Sequence, residues 1–514
     1  VDLCLEFIKD KKSMIKKILI ANRGEIAVRI INTAREMGIK TVAVYSDFDR
    51  YSLFSKLADE AYYIGESPPT KSYLMADRII DVAKRSGADA IHPGYGFLSE
   101  RSFFAKMCED EGIKFIGPSY RAIENLGSKT KAKELAIKNQ VPVVAGTEKA
   151  IKNLNEAIDI SHQIGFPIMI KASAGGGGKG MRVVNTESEL ESSLRMAQNE
   201  ARSAFGDDSV FIEKYVDSPR HIEFQILVDE YGNAVHLGER ECSMQRRHQK
   251  IIEETPSVIV NEDLRFRMGE CARRIAIASG YTNAGTVEFM VDKDKNFYFL
   301  EVNTRLQVEH PITEMRTRLD LVAEQIRIAS GEKLRFHQSD IKFEGASIEC
   351  RICAEDPQNN FMPSTGKVEY LRRILGNGLR EDTGIEEGAE IPIYYDSMIS
   401  KLISYGSTRE IAIAKMKRAL REYKIYGVKT NINFLLALLE DESFVKGNYN
   451  TQFVEKVFLP LWNRNKDVKY DESEVAIALA AIVSKESTQG TANKVTRSSI
   501  SQSAWLKRKL EFYR

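Results

Sequence analysis

Between residues 15 and 128 the sequence alternates short apolar runs with amphipathic stretches, and this alternation restricts the fold more than any other feature. KKILIA, KTVAVYS, ADAIHP and KFIGP read as strands. GEIAVRIINTAREMG, YLMADRIIDVAKRSG and SFFAKMCEDEG read as helices between them. Apolar strands separated by amphipathic helices predict a parallel sheet covered on both faces, because each crossover lays a helix on the sheet. The arrangement resembles half of a dinucleotide-binding fold. The G-x-G-x-x-G fingerprint is missing, with only Gly24 at the first strand–helix turn, so a nicotinamide cofactor is not expected.

The rest of the 514 residues gives room for further domains. ENLGSKTKAKELAIKNQ predicts one helix, followed by the strand VPVVAG. Residues 142–216 read as a small α/β module, with strands FPIMIKAS, MRVVN and SVFIEKYV and a mostly polar helix at 187–203 suited to the outside of a lid. Residues 217–455 bring longer strands, among them HIEFQILV, ASIECRIC and ISKLISYG, with helices near 261–279, 319–330, 407–424 and 431–439. From 456 to 514 the chain becomes a polar, Ser/Thr/Gln-rich extension, in which AWLKRKLEFY predicts a short docking helix. The expected class is α/β, in four parts: 15–128, 142–216, 217–455 and 456–514.

Charge narrows the partners. With 74 basic and 73 acidic side chains the net charge is +1, so no nucleic-acid partner is expected and only a focused basic cleft would serve an anionic substrate. Six scattered cysteines suggest a reducing compartment, by default the cytoplasm. Cys350 and Cys353 have C-x-x-C spacing, but on a strand that spacing points them to opposite faces, so thiols rather than a zinc site are expected. No run approaches the roughly 18 apolar residues that span a bilayer, and VDLCLEFIKDKKSM is too polar for a signal peptide. Residues 1–13 read as a short arm or as an artefact of the assumed start.

Chemistry concentrates in three places. KASAGGGGKGM, residues 171–181, sets four glycines between two strands, where backbone N–H groups can cover phosphates while Lys171 and Lys179 supply charge. Against a flexible linker stands its hairpin length. In 286–310, strands 286–292 and 297–303 flank a loop at 293–296. Pairing Asp292 with Phe297 puts Glu288 opposite Glu301, with Asn303 on the same face. Facing carboxylates repel, and magnesium would relieve them; a solvated polar face is the plainer alternative. Arg305, Gln307 and Glu309 continue the period of two and suggest an anion site with a proton acceptor. Finally, RECSMQRRHQK, residues 240–250, gathers Arg240, Arg246, Arg247, His248 and Lys250, which suit phosphate or bicarbonate in a cleft.

These segments resemble the biotin carboxylase family of ATP-grasp enzymes from residue 15 to about 455. ILIANRGEIAVRI, HPGYGFLSE, FIGPS, KASAGGGGKGM, FIEKY, RHIEFQ, ERECSMQRRHQK, VEF, FLEVNTRLQVEHPITE, RICAEDP and YYDSMISKL carry the resemblance, in that order. It implies an ATP-grasp fold with a Rossmann-like N-terminal domain, a small mobile lid and a large C-terminal α+β domain. The extension beyond 460 looks like that of archaeal acyl-CoA carboxylase subunits. The implied activity is ATP-dependent carboxylation, through carboxyphosphate, of biotin held on a biotin carboxyl carrier protein.

The resemblance also implies roles. Lys129 and Lys171 would bind ATP phosphates under a loop containing Gly175, Gly176, Gly177 and Gly178. Glu213, Lys214, His221, Gln245 and His248 would contact the nucleotide. Glu288 and Glu301, with Asn303, would hold magnesium or manganese. Lys250, Arg305, Gln307 and the Val308 backbone would bind bicarbonate, with Glu309 as general base. Arg351 would stabilise the biotin enolate, and Tyr95 would lie near the biotin ring. The implied partners are a second copy in a homodimer and a separate carboxyltransferase subunit. Pyruvate carboxylase is the alternative complex, and a carbamoyl phosphate synthetase-like ligase is a weaker rival that lacks the full MQRRHQK and RLQVEHP patterns. AKMK at 414–417 inverts the biotinyl signature and sits in a helix, so Lys415 and Lys417 read as solvated helix residues.

Overall fold

The computed structural model describes residues 15–147, 150–151, 153–172, 181–205 and 208–465. The first sheet is parallel and five-stranded. Lys17–Ile20 lies at its centre, flanked by Lys40–Ser46 and then Glu60–Gly65 on one side, and by Ala90–His92 and then Lys114–Phe115 on the other. The edge strand Glu60–Gly65 escapes a pattern reading, because EAYYIG alternates without a clean apolar face. Helices Gly24–Glu36, Ala76–Ser86 and Ser102–Asp110 fall where the pattern puts them, and the first buries Ile26, Ala27, Ile30, Ile31 and Ala34. Strand order reverses at Lys17–Ile20, and the loops beyond such a switch point form a crevice. Asn22 ties two of these loops together by donating to the carbonyls of Pro93 (2.7 Å) and Tyr95 (2.8 Å).

The single helix expected after residue 122 is two, Tyr120–Gly127 and Lys129–Lys138. Ser128 separates them; its hydroxyl accepts from the Lys131 N–H, a helix-start interaction that serine favours. The break puts Lys129 at the first position of the second helix. The expected strand after it reduces to isolated bridges from Val143 to Phe299 and from Gly146 to Glu213.

A three-stranded antiparallel sheet places Ile168–Ala172 between Met181–Val184 and Val210–Lys214. Helix Leu190–Phe205 packs on it, as does Leu154–Ile164, which the sequence pattern does not reveal. The glycines at 175–178 and Lys179 lie outside the described residues.

The largest sheet has eight antiparallel strands. Its order is Phe297–Asn303, Asn283–Val291, Arg220–Val228, Ala234–Arg246, Gln249–Thr255, Ala346–Cys353, Met398–Gly406 and Leu379–Thr383. Helix Glu262–Ala278 seals one face through Leu264, Met268, Ala272 and Ile275. Cys350 is buried, Cys353 is half-buried and both are free thiols. Lys415 and Lys417 sit in helix Arg409–Glu422 as expected. They are half-buried rather than freely solvated, and Lys415 donates to the Tyr405 carbonyl at 2.8 Å. By contacts the chain divides into a unit ending at Phe458 and another from Leu459, whose described part is the helix Leu459–Asn465. Among the described residues no helix is long and apolar enough to cross a membrane.

Candidate active site

Two neighbouring strands build the floor of the site. On Arg220–Val228, His221, Glu223 and Gln225 alternate onto one face. Glu288 stands opposite Glu223, and Thr286 opposite Gln225, on the adjoining strand. From the other side Arg240 pairs in register with Glu223. Its guanidinium is completely buried and spends its donors on Glu223 (2.6 Å), Gln225 (2.8 Å), Thr313 (3.0 Å), Thr286 (3.0 Å) and Gln307 (2.5 Å). A buried cation persists only when paired in this way. Arg240 therefore organises the floor and presents no charge to a ligand. Arg246 pairs with Glu355 and Arg247 donates to Asn360, so most of the basic cluster is satisfied internally.

Lys250 carries the charge of this cluster to the carboxylates of the cleft. It bonds Glu223 (2.6 Å), Glu309 (2.6 Å) and Glu288 (3.2 Å). Burial opposes its charge, but Cys242 and these carboxylates together outweigh burial and raise its pKa well above the ordinary lysine value. Arg351 joins Glu309 at 2.9 Å and anchors on Glu253 through Nε (2.7 Å) and Nη2 (2.5 Å). Glu309 is thus held between two cations. Burial pushes its carboxyl up, yet Lys250, Arg351 and Arg240 together hold it well below the usual carboxylate range.

The local backbone differs from the expected one. The strand ends at Asn303, and 304–309 form an irregular turn, so Arg305, Gln307 and Glu309 do not share a strand face. Pro311, which cannot donate to a sheet ladder and suits a helix's first turn, marks where a helix takes over from the turn. Glu309 becomes the residue before helix His310–Thr317. The turn still carries Gln307 to Glu288 (3.0 Å) and Arg305 to Asn303 (3.0 Å), while Arg305 also pairs with Glu100 (2.8 Å).

Glu288 and Glu301 face each other, but by a different route from the expected one. The hairpin closes on Val291 and Phe297, one residue short of the Asp292–Phe297 pairing, and a bulge between Phe289 and Glu288 restores the offset. Burial raises the Glu301 pKa, and the Glu288 charge raises it further. Glu288 itself is held well below the ordinary range: burial opposes ionisation, but Lys250 and His221, whose Nε2 lies 3.1 Å away, prevail. Two facing carboxylates beside the Asn303 amide form a hard-oxygen set, and the repulsion raising Glu301 is what a divalent cation removes; the residues fit magnesium or manganese. The tightest potential ligand groups among the described residues are different: His221 with Glu223 and Glu288, and Glu223 with Cys242 and Glu309. Lys250 already occupies the first neighbourhood. In the second, burial drives the Cys242 thiol pKa well upward, disfavouring the thiolate a metal needs.

A cleft of about 1510 Å³ brings these groups together with Lys129, Lys171, Glu213, Tyr95, Gln245 and His248. Lys171 pairs with Glu213 at 2.6 Å, and Lys133 joins that carboxylate at 3.1 Å. Gln245 touches His221 Nδ1 at 2.9 Å, and His248 is exposed at a hairpin tip with φ 63°. Lys214 stands apart from this lining. Its amine donates to the carbonyls of Gly165 (3.0 Å) and Phe166 (3.1 Å), and it lines a smaller adjoining cavity of about 220 Å³ rather than the main cleft. Glu223, Glu253, Glu100 and Lys401 also belong to this network and were not foreseen from the sequence. Only Glu223 left a trace there, as the middle of the period-two set His221, Glu223, Gln225.

Three family models match the chain: the biotin carboxylase N-terminal domain at 14–123, the carbamoyl-phosphate synthase L chain ATP-binding domain at 128–337, and the biotin carboxylase C-terminal domain at 349–456. Biotin carboxylase 1 of Bacillus subtilis is 53% identical over 443 residues, covering 86% of this chain and 98% of that protein. A pyruvate carboxylase subunit of Methanothermobacter thermautotrophicus is 55% identical over 443 residues, covering 86% and 90%. Among solved structures, the biotin carboxylase domain dimer of Hydrogenobacter thermophilus 2-oxoglutarate carboxylase, in complex with MgADP, ADP and bicarbonate, has 48% identity and a TM-score of 0.80, covering 86% of this chain and 98% of that one. Biotin carboxylase from Campylobacter jejuni has 47% identity and a TM-score of 0.81, covering 86% and 99%.

Proposed function

Because the chain belongs to the biotin carboxylase family of ATP-grasp enzymes, we propose a division of labour within its cleft for the ATP-dependent carboxylation of biotin by bicarbonate. The observation that carries it is the position of Glu309, bonded to Lys250 and Arg351 in the same cleft as the facing carboxylates Glu288 and Glu301. Lys129 and Lys171 bind the ATP phosphates, for which Lys171 exchanges Glu213 for a phosphate oxygen. Gln245, His221 and His248 line the nucleotide side. Glu288 and Glu301, with Asn303, hold magnesium, which supplies positive charge against the triphosphate.

Bicarbonate enters beside Arg305, Gln307 and the Val308 backbone. Between Lys250 and Arg351 alone, Glu309 binds a proton poorly, because the two cations hold it ionised. An arriving anion takes hydrogen bonds from Lys250 and Arg351 and so raises the proton affinity of Glu309. Glu309 then accepts the bicarbonate proton as the oxygen attacks the γ-phosphorus, releasing ADP and forming carboxyphosphate. Carboxyphosphate splits to CO₂ and phosphate, the phosphate takes the N1′ proton of biotin, and the enolate, steadied by Arg351 with Tyr95 beside the ring, attacks CO₂.

The biotin is carried by a biotin carboxyl carrier protein, and a carboxyltransferase subunit uses the product. An acyl-CoA is the proposed final acceptor, with pyruvate the alternative. A homodimer is the proposed assembly, and the cytoplasm the compartment, in keeping with five free thiols among the described residues. Three sheets support reading 15–128, 142–216 and 217–455 as domains. Phosphate release with each of ATP, bicarbonate and biotin omitted in turn tests the reading. Turnover should require bicarbonate and rise with free biotin. Equal rates with and without bicarbonate contradict it.

A further inference from the structure

The turn from Gln307 to His310 holds the backbone N–H groups closest to Glu309, and two side chains outside the mechanism above grip it. Lys401, on strand Met398–Gly406, is fully buried and donates to the Val308 carbonyl at 2.8 Å. Its amine also lies 3.4 Å from Glu25 and 3.8 Å from Asp382. His310, equally buried, has Nδ1 2.8 Å from the Gln307 carbonyl, and its own N–H meets the same oxygen at 3.3 Å. A carbonyl only accepts, so Nδ1 carries the hydrogen.

In a trans peptide the C=O and the following N–H point in opposite directions, so fixing one aims the other. Both peptides here are trans: among the described residues the cis bonds are Phe166–Pro167 and Thr255–Pro256. His310 therefore aims the Val308 N–H, and Lys401 aims the Glu309 N–H. Among the described residues neither N–H donates to another group, although Val308 and Glu309 line the cleft and Glu309 is buried. Unpaired N–H groups in such a place are unusual unless a ligand takes them.

We propose that Lys401 and His310 are positioning residues which lock the two peptide planes flanking Val308, so that the N–H groups of Val308 and Glu309 form a paired donor site for a small oxyanion; resting on the function given above, that oxyanion is bicarbonate. The surroundings suit such a lock. Burial, and then the charges of Lys401, Arg29 and Arg380, hold the His310 pKa well below its ordinary value, so the ring stays neutral in one tautomer. Lys401 stands opposite Arg351 in register, which links the turn to the residue that grips Glu309. Because Glu25 comes from the N-terminal sheet's first helix, the lock draws on distant parts of the chain.

Steady-state kinetics on the full chain test this with His310→Phe, His310→Asn, Lys401→Met and the double variant Glu25→Gln/Lys401→Met. The double variant also removes the carboxylate that Lys401→Met would leave buried and unpaired. Misaimed donors should raise the KM for bicarbonate about 10-fold or more, while the KM for ATP stays within about twofold. Asparagine can place an N–H where His310 Nδ1 stands, so His310→Asn should recover most of what His310→Phe loses. If Lys401→Met does not fold, the double variant and the His310 pair report the same quantity. Parental bicarbonate KM in the folded variants, or equal rises for bicarbonate and ATP, overturns the positioning role alone. A parent with no bicarbonate-dependent turnover overturns the function and the positioning role together.

Discussion

At Glu309, burial and the neighbouring cations act in opposite directions, and the cations win. Replacing it with glutamine keeps the shape and removes the proton acceptor. Lys250 then retains Glu223 and Glu288, and Arg351 retains Glu253, so the fold should survive. Glu309→Gln should lose about 10²–10⁴-fold of bicarbonate-dependent turnover while calorimetry shows unchanged ATP affinity. A matching loss of ATP affinity would assign Glu309 to structure instead. The facing carboxylates are not equivalent, although the sequence makes them look so. Glu288 is paired with Lys250 and lies against His221, whereas Glu301 is raised by burial and by Glu288. Both Glu288→Gln and Glu301→Gln should raise the magnesium needed for half-maximal rate. In thermal unfolding without metal, Glu288→Gln should lower Tm and Glu301→Gln should leave it unchanged or raise it.

At the scale of elements, the sequence located the hairpin and its facing carboxylates but not the way they come to face. A period of two cannot reveal a bulge, and the assumed closing pair erred by the one residue that the bulge restores. The same periodicity misled beyond Asn303, where an irregular turn and the helix after it override alternation. Residues such as Lys401 and Glu253 were invisible because each acts through a strand far away in sequence, in a register that pattern alone does not fix. Contacts between elements also set space requirements. A Cβ on Gly384 would lie 2.6 Å from the Glu25 nitrogen and 2.6 Å from the Gly24 carbonyl carbon, both backbone atoms at the start of helix Gly24–Glu36. Gly384→Ala should therefore destabilise by about 1–3 kcal/mol, read as a shifted denaturant midpoint. An unchanged midpoint would show that this contact yields without cost.

Across the whole chain, the N-terminal parallel sheet, apart from its edge strand Glu60–Gly65, and many individual strands beyond it were legible from periodicity, because strand and helix repeats differ and each buries one face; how the later strands join into a small and a large antiparallel sheet was not. The charged layer beneath the cleft was not, since it is assembled from all along the chain. Its ionisation should govern stability against pH. Burial raises Glu25 from 4.5 to about 7, only partly offset by Lys401, and burial raises Glu253 to about 7 against Arg351. Groups raised in the folded state contribute stability that is present below about pH 4.5 and lost as pH rises through about 7. Glu288 and Glu309, held low, behave oppositely and lose their contribution as pH falls through their depressed values. Relative to the parent, Glu25→Gln should therefore gain stability between pH 5 and pH 8, by up to about 3 kcal/mol. A parent and variant with parallel pH curves would mean that Glu25 titrates normally. The central claim, carboxyphosphate formation at Glu309, is tested most directly by following one oxygen. With ¹⁸O-labelled bicarbonate, ATP and free biotin, carboxyphosphate chemistry requires one bicarbonate oxygen to pass to phosphorus in each turnover. The released phosphate should carry one ¹⁸O per carboxybiotin formed, and Glu309→Gln should lose label transfer along with turnover. Carboxybiotin formed with unlabelled phosphate would contradict the claim.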